Sequence, residues 1–203
     1  MKLKHRYLEQ VRRNPQSVKQ ILQETSGGGK TMVRCWDRAI GHYHKNEDSK
    51  SALSYLNSAL SNFNDNRTNN VKKDMLIEKF NNYTHEYLNL DFKNIKVNSR
   101  INIDIHHNNY LTGEIFRVDQ TPENGFAITL MNRNDEIWAT ELRFRILQIY
   151  YSNIYKCPYD LIKVGVFNFE EELHEYTSFD EIELNQAWQE IIDISNKINK
   201  FSF

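Results

Sequence analysis

The sequence predicts an α/β (α+β) fold in which helices pack on a mixed β-sheet of four to five strands. Three observations predict it. Apolar residues recur at helical spacing over residues 31–88. The pattern switches to period two from Ile95 to Ile105 and stays extended through a hairpin to Arg133. A helical stretch, a short continuous apolar run and a second helical stretch then follow. Helices, meandering strands, helix, strand, helix is the order of a layered protein whose helices cover a sheet.

The 203 residues suffice for one domain with a substantial core. Lys and Arg number 26 against 27 Asp and Glu, a net charge of −1, so a strongly basic nucleic-acid binder is not indicated. A local basic face stays open. No apolar run is long enough to span a membrane, and MKLKHRYLEQVRRN at the start has no apolar stretch of the secretory kind. Cys35 and Cys157 form no spaced motif and fit unpaired thiols in the cytoplasm.

Residues 2–24 read as two short helices broken at Asn14-Pro15, with Pro15 opening the second. Lys2, Lys4, Arg6, Arg12 and Arg13 make this the most basic stretch, read as a solvated helical face rather than a phosphate-contacting arm. Glu24-Thr-Ser-Gly-Gly-Gly-Lys-Thr31 has the look of a phosphate-binding loop. Glu24, however, stands where that motif needs a glycine, and a helix rather than a strand leads into it. No nucleotide is expected. The stretch reads as a loop capping the next helix, with Thr31 near the helix start.

That helix, 31–44, turns Val33, Trp36, Ile40 and Tyr43 to one side. Helix 49–63 buries Leu53, Leu56, Leu60 and Phe63, and helix 69–88 buries Leu76, Phe80, Tyr83 and Tyr87. His42 and His44 are two apart, share no helix face and make a poor metal pair. The long half-buried strand Ile95–Ile105 ends in the turn His106-His107-Asn108-Asn109. The hairpin has strands Tyr110–Asp119 and Phe126–Arg133 around the turn residues Thr121-Pro-Glu-Asn-Gly125. Helix 137–153 buries Trp138, Leu142, Ile146, Ile149 and Tyr150. Its other side aligns Glu141, Arg145, Gln148 and Ser152, as a solvated stripe or as the polar wall of a cleft. Leu161–Phe169 reads as a central buried strand, Glu170–Thr177 extends or returns it, and 179–198 is the last helix.

Four stretches carry more than fold: Gly29-Lys-Thr-Met-Val-Arg34, Gly113-Glu-Ile-Phe-Arg-Val-Asp119, Ala127-Ile-Thr-Leu-Met-Asn132, and Leu147-Gln148-Ile149 followed by Tyr151. In order and spacing they resemble the RecB-type branch of the PD-(D/E)XK nuclease superfamily, from Gly29 to the C-terminus. In that branch a His opens the first core helix, where Arg34 stands here. A Gly-x-hydrophobic-Asp-Arg-hydrophobic-Asp strand is usual, and Phe116 replaces its metal-binding Asp. In the Asp/Glu-x-Lys strand, Leu130 takes the acid position and Asn132 the lysine position; a one-residue slip gives Thr129 and Met131. Gln148 and Tyr151 match the Leu-Gln-aliphatic helix and its following Tyr, the Tyr one position early. The resemblance implies a helical N-terminal segment, 1–29, and a restriction-endonuclease-like domain, 30–203.

Such a centre hydrolyses phosphodiesters with Mg²⁺ or Mn²⁺ held by carboxylates, while the lysine stabilises the transition state. Phe116 and Leu130 cannot ligate a hard cation, Arg34 would repel one, and Asn132 cannot supply positive charge. The resemblance therefore implies a nuclease fold with an emptied site and no cofactor. It would bind nucleic acid, DNA foremost, or a protein of a nucleic-acid-processing, mobile-element or defence assembly. Its cleft would be lined by Arg34, Glu114, Asn132, Gln148 and Arg145, with Arg34, Arg145 and Lys30 available to phosphate. One alternative is an active Mg²⁺- or Mn²⁺-dependent DNase in which Glu114, Asp104, Glu141 or Asp119 rebuilds the centre. Another is a structural or inhibitory protein reusing the fold. Strand alternation places Glu114 on the same face as Phe116 and Asp119 on the opposite face.

Overall fold

The computed structural model describes residues 1–23, 31–132 and 137–201. In chain order it has β1 (Lys2–Lys4), α1 (Leu8–Arg13), α2 (Val18–Gln23), α3 (Met32–Asn46), α4 (Ser49–Leu60), α5 (Arg67–Asn89), β2 (Lys93–His106) and β3 (Asn109–Gln120). Then come β4 (Phe126–Asn132), α6 (Leu142–Tyr155), β5 (Ile162–Asn168), β6 (Leu173–Thr177) and α7 (Glu181–Phe201). The expected α+β class is found, and the elements follow the expected order. Three differ. A short strand, β1, precedes the two N-terminal helices. The segment after β5 turns back as β6, bringing the sheet to six strands. The helix expected from Ile137 begins at Leu142, after a single 3₁₀ turn at Trp138–Thr140.

Local chemistry sets the ends. The Thr31 hydroxyl accepts the Arg34 N–H at 3.2 Å and starts α3. Asp48 and Asn66 cap α4 and α5 in the same way. Glu47 and Lys156, both left-handed, end α3 and α6. Pro15 opens a 3₁₀ turn capped by the Asn14 side chain.

The sheet is mixed, and β3 is its hub. One edge of β3 pairs antiparallel with β2 along its length. Its other edge pairs parallel with β1 at the start, Lys2 opposite Tyr110, and antiparallel with β4 at the end, Arg117 opposite Thr129. β5 lies parallel to β4, reached through the α6 crossover, and β6 is antiparallel to β5.

Helices cover both faces. On one face, Leu8, Val11, Phe144, Leu147, Leu184 and Ile191 pack with Ile101, Ile103, Leu111, Ile128 and Val164. On the other, Trp36, Ile40, Leu56, Leu76, Phe80 and Tyr83 from α3–α5 pack with Phe116, Phe167 and Phe169. The N-terminal segment belongs to the first core: Leu3 is buried between exposed Lys2 and Lys4, and Arg12 is held by Glu190 at 2.6 and 2.9 Å. His5 lies across Gly113, where an added Cβ would fall 2.0 Å from the His5 ring. The motif glycine is thus the space the imidazole occupies.

One irregularity decides the site. The β2–β3 ladder pairs Val97 with Arg117 and next Ser99 with Ile115, skipping Asn98 and Phe116. Asn98 has φ 49°, the left-handed conformation that Asn tolerates. Side-chain alternation resets there. Ile115 and Val118 face the α6–α7 core, while Phe116, Arg117 and Asp119 all face α5. Asp119 is therefore on the same side as Phe116, against the expectation from simple alternation.

Gly165 joins β5 to β6 at close range: a Cβ there would lie 1.9 Å from the Glu175 carbonyl oxygen. Gly165→Ala is expected to cost about 1–3 kcal/mol by forcing β6 away. A lower urea midpoint with an unchanged m-value would show it.

Candidate functional site

Position 116, where the resemblance places a metal-binding acid, is filled by rings. Phe116 stacks on Trp36 with centroids 6.5 Å apart and meets Tyr83 edge-on at 5.9 Å. Phe167 stacks on Trp36 from the next strand at 5.9 Å, and Phe169 meets Trp36 edge-on at 5.2 Å. All are buried. The Phe and Trp rings bring no oxygen ligand to a hard cation, and the Tyr83 hydroxyl is engaged by Arg117 and His44. On β4, Met131 packs into this same aromatic core, and the Thr129 hydroxyl lies 2.8 Å from the Tyr176 hydroxyl. Leu130 points into the opposite core. The pair sharing Phe116's side is thus Thr129 and Met131, not Leu130 and Asn132. Neither offers a carboxylate or an ammonium.

Beside the plug lies a buried polar network centred on Arg117, which is fully buried. Its Nε donates to Asp119 Oδ2 at 2.5 Å. Its Nη1 donates to the Tyr83 hydroxyl and to His174 Nε2, the latter at 3.0 Å, and its Nη2 donates to the Tyr176 hydroxyl at 3.0 Å. A guanidinium only donates, which fixes the other protons. His174 carries its proton on Nδ1, 3.9 Å from Glu86. The Tyr83 hydroxyl donates a hydrogen bond to His44 Nε2 at 2.7 Å, and the Tyr176 hydroxyl donates one to Thr129. Asp119 Oδ1 also accepts from Asn94 at 3.0 Å and Tyr87 at 3.2 Å.

The electrostatics follow from burial around one cation. Burial, then the charge of Arg117, pushes His44 down to about 2 and His174 down to about 2. Both are neutral. Burial holds the Tyr83 and Tyr87 phenols protonated well above their ordinary range. Burial opposes the Arg117 charge, but Tyr83, Tyr176 and Asp119 outweigh it, and the guanidinium stays charged. With Tyr83, Arg117, Asp119 and Thr129 fully buried, the network braces α5, β3, β4 and β6 against one another.

The sequence-predicted site residues do not converge. Arg34 is exposed on α3, in one helical layer, and Arg145 is on α6, in the other. Arg145 donates to the Ala139 carbonyl at 3.1 Å, pairs with Glu183 and lies over the Phe179 ring. Gln148 is fully buried and lines no cleft. Its amide nitrogen donates to the Tyr159 and Phe179 carbonyls at 3.0 Å, and its oxygen accepts the Phe179 N–H. Ser152 bonds the Cys157 carbonyl, and Tyr151 is core. Glu141 pairs with Arg143 at the start of α6. Glu114 and Asp104 are exposed, and Asp119 is sealed against Arg117. Among the described residues, no three His, Cys, Asp or Glu side chains group as metal ligands would. Lys30, the glycine-rich loop up to it and Arg133 lie outside the described residues.

Sequence reasoning missed Arg117, Tyr176, His174 and Thr129 as a unit. The available signals were Tyr83 with Tyr87 at i,i+4 and His174 with Tyr176 at i,i+2, polar tips that need partners once buried. No protein-family model matches the chain, and no curated protein matches it.

Proposed function

We propose that this chain is a binding protein built on a nuclease-like frame whose catalytic position has been packed shut. The observation that carries the reading is the aromatic plug of Phe116, Trp36, Tyr83 and Phe167 where the resembled family holds its metal. The order of elements supports it too: helices, the β2–β3–β4 meander, the α6 crossover and parallel β5. Arg117 and Asp119, the two charged motif residues retained, are committed to each other. What the chain binds is nucleic acid, DNA foremost, or a protein of a nucleic-acid-processing assembly. Arg34, Arg38 and Lys45 favour the first version, because all three are exposed and fall on one side of α3 at i, i+4 and i+11.

Labelled single- and double-stranded DNA and RNA test both parts. With Mg²⁺ or Mn²⁺ the expected result is no cleavage. Cleavage abolished by Glu114→Gln or Asp104→Asn would overturn the reading in favour of a relocated centre. At low salt the expected result is binding that weakens as salt rises, and that falls about tenfold in Arg34→Glu/Arg38→Glu. Binding to none of these at low salt would leave only the protein-partner version.

A further inference from the structure

The strand β2 has 14 residues, and among the described residues it pairs only with β3. Its other edge carries a row of backbone donors and acceptors without a partner strand. Such an edge is a template for pairing unless it is interrupted. The interruptions lie in the first half and at the last residues: the ladder shifts between Asn94 and Lys96, Asn98 is left-handed, and the ladder shifts again between Asp104 and His106. From Asn98 to the last shift, Ser99 to Asp104 pair regularly with β3.

Within that stretch Ile101 and Ile103 are buried under the α6–α7 core, and Arg100, Asn102 and Asp104 are exposed on the other face. Among the described residues neither Arg100 nor Asp104 makes an ion pair or side-chain hydrogen bond. The pattern is self-complementary. A cation and an anion stand two residues either side of an asparagine.

We infer that two copies of this chain pair through β2, antiparallel, about a two-fold axis at Asn102. In that register each Arg100 faces the other copy's Asp104, Asn102 faces Asn102, and Ile101 faces Ile103. Opposite charges directly across an antiparallel pair are stabilising, and like charges are not. Moving the axis by one residue sets the charges against Asn98, Asn102 or His106 instead. Moving it by two sets Arg100 against Arg100, or Asp104 against Asp104. Only the register at Asn102 satisfies both charges twice, as an isologous interface requires. The contact joins the two sheets edge to edge. It does not depend on the proposed function, since neither α3 nor the aromatic plug takes part.

Sedimentation of the full chain over a range of concentrations tests it. The wild type is expected to dimerise. Arg100→Asp and Asp104→Arg each turn both attractive pairs into repulsive ones, and each is expected to weaken the dimer at least about tenfold. The double variant Arg100→Asp/Asp104→Arg restores opposite charges and is expected to recover the dimer. An equimolar mixture of the two single variants is expected to form a heterodimer, since the acidic positions of one chain then face the basic positions of the other. Amide exchange in residues 99–105 is expected to slow as wild-type concentration rises. The substituted side chains are exposed, so circular dichroism should show the variants folded. A monomeric wild type at all concentrations, or single variants that dimerise as well as the wild type, would overturn the inference. So would failure of both the double variant and the mixture to recover association.

Discussion

Acidification from pH 6.5 to pH 4 is expected to unfold the protein, with stability falling by roughly 4 kcal/mol per pH unit once the unfolded chain is protonated. Three histidines set this slope. Burial, and then the charge of Arg143, lowers His5 to about 4. Burial, and then Arg117, lowers His44 and His174 to about 2. In the unfolded chain each takes a proton near its ordinary value of about 6.5. Below that pH the unfolded state therefore holds up to three protons that the folded state refuses. Stability rises with pH wherever the unfolded state binds more protons. It is complete above about pH 6.5 and is lost as pH falls towards the folded values. Each histidine contributes about 1.4 kcal/mol per unit, so at pH 5 the loss reaches about 6 kcal/mol. That rivals the whole stability of an ordinary domain. Urea unfolding at pH 7.5, 6 and 5 measures it. A loss below about 1 kcal/mol per unit would mean that these imidazoles protonate without unfolding.

The sequence made the element order plain because its hydrophobic period changes abruptly at the right places. It could not show β1. Lys2-Leu3-Lys4 is too short to have a period, and its partner Tyr110–Thr112 lies more than a hundred residues away. The register of the motif strands was hidden for a different reason. Both faces of β4 are covered, so Ile128 and Leu130 look no more inward than Ala127, Thr129 and Met131. The side on which Asp119 lies turned on the step at Asn98 and Phe116. Only the tolerance of Asn for a left-handed backbone hints at that in sequence. Gln148 shows a further limit. A polar stripe on a helix reads alike whether it meets water or buried carbonyls, and here it meets the carbonyls of Tyr159 and Phe179. Phe116 was legible, but its surroundings were not. The ring cluster of Trp36, Tyr83 and Phe167 around Phe116 joins four elements far apart in sequence, which no local pattern reveals.

Arg117→Met is expected to destabilise the protein by about 3–5 kcal/mol, the cost of breaking a buried ion pair from one side. The methionine keeps an apolar stem and removes every donor. Asp119, fully buried, would retain only Asn94 and Tyr87. Tyr83, Tyr176 and His174 would each lose the donor that orients them. Arg117→Lys is expected to rescue little, because one ammonium cannot span partners on α5, β3 and β6 as a planar fork does. The double variant Arg117→Met/Asp119→Leu separates the two costs. A buried pair replaced on both sides by apolar groups is often close to neutral. The double variant is therefore expected to recover more than half the loss, giving a coupling of about 2 kcal/mol or more in a double-mutant cycle. A loss under about 1 kcal/mol for Arg117→Met would show that the network contributes little to holding β3 and α5 together. A large, coupled loss would show that Arg117 and Asp119 hold β3 in place beside Phe116. That role rests on their own partners, since the two side chains are sealed against each other and against Tyr83, Tyr87 and Tyr176.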